Sequence, residues 1–130
     1  MKIDKQVCSI RQGKRLAELG ISKDSYFQHI CVMPDPTGEQ WFYDVFSADT
    51  KCDTLAEYIC PAYTVAELSV MLDDLEGLIG YDRDNKNWYV THELPNQPTE
   101  AEAKAELLIY FLESEDDYIN AEKCNRLFSL

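Results

Sequence analysis

Residues 26–46 read YFQHICVMPDPTGEQWFYDVF, and this stretch decides the fold class. Residues 26–33 are rich in β-branched and aromatic side chains, which suit a pleated, half-buried surface, so they predict a strand. Pro34, Pro36 and Gly38 then turn the chain, because proline fixes φ and glycine supplies positive φ. Residues 40–46 return as the second strand of an antiparallel hairpin. Alternation puts Trp41, Tyr43 and Val45 on one side, with Phe42 and Phe46 on the other. Apolar side chains on both sides predict a sheet covered on both faces, or one face used for association.

Working toward the C-terminus, residues 47–62 fit two readings. Thr54 and Glu57 have the spacing to cap a short helical turn, and Tyr58–Cys60 fits a strand equally well. Thr64 and Glu67 then form a capping box for a helix over 65–75, whose apolar stripe is Leu68, Met71, Leu72 and Leu75. Residues 78–81 and 88–92 predict a second hairpin around a polar turn. Thr99 and Glu102 make another capping box, opening a helix over 100–112 with Ala101, Ala105, Leu108 and Leu112 on one stripe. A last helix is expected over 115–128, capped by Ser114, with Tyr118, Ala121, Cys124 and Phe128 on its buried side.

Toward the N-terminus, Ser9 and Gln12 have capping-box spacing for a helix over 9–19, and Gly20 suits a left-handed C-cap. Gly13 weakens that helix by up to about 1 kcal/mol relative to alanine. The chain therefore reads as an α+β protein in one domain, residues 1–130. Two antiparallel hairpins, expected to share one sheet, pack with about four helices in the order α-β-β-α-β-β-α-α.

Composition narrows the function classes. The chain has 130 residues, a net charge of -12 and five cysteines. Residues 1–23 hold six basic and two acidic side chains, a net of +4, so the remainder carries -16. A body this acidic repels phosphate backbones, which disfavours direct nucleic-acid binding. The acidity itself fits solubility, a basic partner or imitation of nucleic acid. The longest apolar run, Leu107–Leu112, is far below the roughly 18–20 residues that span a bilayer. Without an apolar leader the chain is expected in the cytoplasm, with no membrane association. Scattered cysteines without CxxC spacing predict reduced, buried thiols.

Candidate chemistry is sparse. His29 and Cys31 share a strand face and could join Cys52 and Cys60 around zinc, but zinc ligands usually come in closer pairs. Asp82, Asp84 and Glu93 match three positions of a calcium loop, yet Lys86 and Asn87 stand where an oxygen ligand and glycine belong. Glu113, Glu115, Asp116 and Asp117 form a carboxylate cluster, the last three of them read as first-turn charges behind Ser114. No nucleotide or nucleophile motif occurs, so no catalytic residue, cofactor or metal is assigned. Partner contact is assigned instead to the basic helix face of Arg11, Lys14 and Arg15, and to an aromatic group of Trp41, Tyr43 and Trp88. The aromatic group also fits core packing of the two hairpins.

Three segments carry a family resemblance: SIRQGKRLAELGI (9–21), PAYTVAELSVML (61–72) with the hairpin after it, and EAEAKAELLIYFLES (100–114). Together they resemble small uncharacterised proteins of prophages and mobile elements in gut Bacteroidales bacteria. The resemblance implies a bacterial cytoplasm and a phage or mobile-element gene, and it supplies no site residues. The expected function is a non-enzymatic protein-interaction domain, with an unknown protein or a second copy as partner. The alternatives are an acidic DNA mimic that inhibits a nucleic-acid-binding protein, and a small enzyme.

Overall fold

The computed structural model describes residues 5–22, 25–33, 42–47, 55–91, 93–114 and 119–127. Its elements run α1 (Ile10–Glu18), β1 (Phe27–Met33), β2 (Phe42–Ser47), β3 (Leu55–Pro61), α2 (Val65–Leu72), a 3-10 turn (Asp73–Leu78), β4 (Ile79–Asp82), β5 (Asn87–Val90), α3 (Glu100–Glu113) and α4 (Ala121–Leu127). This is an α+β architecture with both hairpins antiparallel. The segment that fitted two readings contributes β3, a third strand.

The strands form two sheets, which corrects the expectation of one. The first has the order β2-β1-β3, and the second is the β4-β5 pair alone. β3 joins the first hairpin by pairing antiparallel with β1, and a bulge shifts its register at His29/Ile30. On its outer side β5 meets Gln97. The N–H of Trp88 donates to the Gln97 carbonyl and the N–H of Gln97 donates back, both at 2.8 Å.

Pairing sets the faces of the first sheet. His29 stands between Val45 and Cys60, and all three are buried. α1 crosses the sheet at β3, and Gly13 makes that approach possible. A Cβ at position 13 would lie 2.5 Å from the Pro61 carbonyl oxygen and 2.8 Å from Cys60 Sγ. The residue that weakens the isolated helix is therefore the one that lets it pack. The opposite face has Asp44 beside Ile30 and the 54 % exposed Tyr58.

Local signals stop the helices cleanly. Ser9 and Gln12 close a full capping box on α1, and the buried Gln12 amide also donates to the Glu102 carbonyl and the Glu106 carboxylate at 2.9 Å each. Gly20 has φ +102°, so the Gly20 and Ile21 N–H groups bond back to Ala17 and Leu16. That is a Schellman motif, and it buries Ile21. The main core lies between α1, α2 and α3 and includes Leu16, Tyr63, Leu68, Leu72, Leu107 and Leu108. Val90 and the half-buried Trp88 bring β5 onto the same core.

The last helix departs from expectation. Ser114 ends α3, with its N–H donating to the Tyr110 carbonyl. α4 starts only at Ala121, and Asn120 Oδ1 accepts the Lys123 N–H at 2.8 Å as its cap. Residues 115–117, Tyr118 and Phe128 lie outside the described residues, while Cys124 is buried as expected.

Candidate functional site: a groove between two helix starts

Three distant segments converge on one groove of about 810 Å³. Residues 5–8 lie antiparallel to residues 63–65, through Cys8 N–H to the Tyr63 carbonyl (2.9 Å) and Val65 N–H to the Gln6 carbonyl (3.3 Å). This sets Lys5 and Gln6 beside the start of α2. The Trp88–Gln97 bridge then carries the chain through Pro98 into the start of α3. The groove is lined by Lys5, Gln6, Thr64, Val65, Ala66, Trp88, Pro98, Thr99 and Glu100. Trp88 is steadied by Tyr81, whose ring centroid is 5.3 Å away at an interplanar angle of 56°.

The two helix starts are built differently. At α2, Thr64 accepts the Glu67 N–H, and the Glu67 carboxylate accepts the Thr64 N–H at 2.9 Å. That carboxylate is buried and also accepts Ser25 Oγ at 2.7 Å and the Tyr26 N–H at 3.3 Å. At α3, Thr99 accepts the Glu102 N–H at 3.1 Å, but Glu102 does not return the bond. The expected box is thus half formed. Glu100 instead pairs with Lys104 at 3.0 Å, and Lys104, with its side chain only 10 % exposed, donates to Ser69 Oγ on α2.

The residues assigned to partner contact are separated. Arg11 pairs with Glu106, and Arg15 pairs with both Glu18 and Glu113 at 3.0 Å. Two of the three cations on α1 are thus bound within the chain, mainly to an acidic row on α3. Lys14 has no carboxylate partner among the described residues. It lines a smaller recess of about 350 Å³ with Ile10, Cys31, Tyr43, Glu57, Tyr58 and Ile59. Tyr43 and Trp88 therefore belong to different cavities, and Trp41 lies outside the described residues. Of the five that are described, Trp88 alone reaches the large groove. Its neighbours there read in the sequence only as helix starts, since their convergence depends on the pairings of residues 5–8 with 63–65 and of Trp88 with Gln97.

The other candidates have structural partners. His29 Nε2 donates to the Cys8 carbonyl at 2.6 Å, and burial holds its pKa below the usual histidine value. Burial pushes the Cys8 thiol up to about 12 and the Cys124 thiol up to about 11, which suppresses thiolate chemistry at both. Cys31 and His29 do share a face, but Cys52 lies outside the described residues. Among the described residues no group of three or more His, Cys, Asp or Glu could hold a metal ion. Asp82 is engaged in its own turn: it accepts the Asp84 and Asn85 N–H groups at 3.0 and 3.3 Å, and Asn85 Nδ2 at 2.8 Å. Those bonds, led by the Asn85 side chain, hold its carboxyl below the usual range. Among the described residues no helix is long and apolar enough to cross a membrane.

No family model, curated protein or solved structure matches the chain.

Proposed function

We propose that this chain is a non-enzymatic protein-interaction domain and that a partner docks in the groove at Trp88. The observation that carries this reading is the lining of the groove. Trp88, Val65, Ala66 and Pro98 give it an apolar wall of the kind that anchors partners, and its size is typical of binding sites. Its titratable side chains are Lys5 and Glu100, and Glu100 is engaged with Lys104. Among the described residues no histidine, cysteine or serine lines it, and the Thr64 and Thr99 hydroxyls are each engaged as helix caps.

The test is site-specific photo-crosslinking in cells that carry the gene. A benzophenone side chain replaces Ala66, an exposed lining residue, and in a control it replaces Glu122, which is exposed on α4. A discrete adduct from position 66 and none from position 122 is expected. An adduct of twice the chain's mass would make the partner a second copy. No adduct at 66, or the same adduct at both positions, would overturn the reading.

A further inference from the structure

We infer that residues 5–8 are a strap held closed over the neutral imidazole of His29, and that acid opens the strap and frees one wall of the groove. Its operation does not depend on what docks in the groove.

Three kinds of contact hold the strap. Two backbone bonds join it to the chain around the start of α2: the Cys8 N–H donates to the Tyr63 carbonyl, and the Val65 N–H donates to the Gln6 carbonyl. Val7 is buried and packs with Val45 and Ala62. The third contact is the Cys8 carbonyl, which accepts His29 Nε2–H at 2.6 Å. Lys5 and Gln6 belong to the same segment and line the groove, so the position of the strap sets that wall.

His29 is the titratable point among these contacts. It is buried between Val45 of β2 and Cys60 of β3. A second proton, on Nδ1, would make a buried cation whose partner is a neutral carbonyl. The groups that face it offer no counter-charge. The Cys8 thiol of the strap and the Cys60 thiol of β3 keep their protons, because burial raises the pKa of each. The charges nearest to them act at one remove and are opposite in sign: Glu67 of α2 on Cys8, and Lys14 of α1 on Cys60. Burial therefore outweighs the carbonyl bond and holds the His29 pKa below 6.5. When the strap opens, water reaches the ring and its pKa returns toward that ordinary value. The contribution of His29 to closure is thus complete above the open-state value, and it is lost as pH falls through the lower, closed-state value.

The test is amide hydrogen exchange on the intact chain between pH 7.5 and 5.0, followed by NMR and corrected for the intrinsic exchange rate. The Cys8 and Val65 N–H groups report the strap, and the Leu108 N–H in the core of α3 reports global unfolding. The strap amides are expected to be less protected than Leu108 throughout, and to lose protection at least about threefold from pH 7.5 to 5.0. His29→Gln keeps a side-chain N–H for the Cys8 carbonyl and removes the titration, so its strap protection should stay within about 1.5-fold over that range. Strap amides as well protected as Leu108, or an equal fall in the parent and in His29→Gln, would overturn the inference. Should that variant fail to fold, the ring titration of His29 in the parent decides. A midpoint below 6.5, with strap protection falling between 6.5 and that midpoint, supports the strap, and a midpoint at or above 6.5 overturns it.

Discussion

The starts of α2 and α3 carry the same sequence signature, Thr-x-x-Glu, yet the structure uses them in opposite ways. Thr64-Val-Ala-Glu67 closes a reciprocal box and buries its glutamate. Thr99-Glu-Ala-Glu102 closes half of one and leaves its glutamate unbonded to the cap. The difference lies outside the motif. Glu67 meets Ser25 and the Tyr26 N–H, donors supplied by the chain just before β1. Glu102 meets only the fields of Arg11 and Glu106. A capping signature therefore fixes where a helix begins. What the neighbouring chain offers decides whether the side chain becomes part of the fold.

The sharpest break of this comparison is Glu67→Ala. It would strip the acceptor from the Thr64 and Tyr26 N–H groups at once and leave Ser25 Oγ with the Ala62 carbonyl alone. Buried donors left without partners cost about 1–3 kcal/mol each before any relaxation. Urea unfolding is expected to show a loss of about 2–4 kcal/mol for Glu67→Ala, and well under 1 kcal/mol for Glu102→Ala. Equal losses would mean that both glutamates serve only as caps.

The caps themselves give a smaller effect. Thr64→Ala and Thr99→Ala should each cost about 1 kcal/mol, the usual value for losing an N-cap hydroxyl. Double-mutant cycles separate the two sites more finely. Thr64 and Glu67 are expected to couple by about 0.5–1 kcal/mol, whereas Thr99 and Glu102 should be additive within about 0.3 kcal/mol. Coupling of the same size at both sites would show that the box at α3 closes in solution.

What the sequence makes legible follows the same division. Features within one turn of chain are readable: the caps at Ser9, Thr64 and Thr99, the left-handed Gly20, and both hairpins. Features set by distant chain are not. Gly13 reads as a weak point of α1 until Cys60 and Pro61 are placed against it. One sheet is the economical expectation for two hairpins. The structure instead pairs β3 with the inner edge of β1 and Gln97 with β5, and the hairpins lie in two sheets. Ser114 stands before acidic residues as an N-cap would, but Asn120 holds that role. Of the groove, Trp88 was visible as an aromatic candidate. The convergence of residues 5–6, 64–66 and 98–100 around it was not, because no local pattern encodes a pairing across that span.

The smallest effect concerns the sign of a single charge. Burial raises the pKa of Glu102 above the ordinary glutamate value of 4.5, and this outweighs the attraction of Arg11. The folded chain therefore holds the Glu102 proton to higher pH than the unfolded chain does. This contribution favours the fold below the unfolded value and is lost as pH rises through the folded one. Ionised Glu102 is thus a modest burden at neutral pH, discounted because the side chain keeps part of its hydration. Glu102→Gln keeps the shape and removes the charge, so it should melt higher than the parent at pH 7. The gain should shrink as pH falls below about 4.5, where both chains are uncharged at that position. Thermal melts of the pair at pH 7 and pH 4 read this directly. A variant that melts lower at pH 7 would show that the Arg11 attraction dominates. Glu102 would then resemble Glu67 in being used by the fold, and the contrast between the two helix starts would narrow to the number of bonds each glutamate makes.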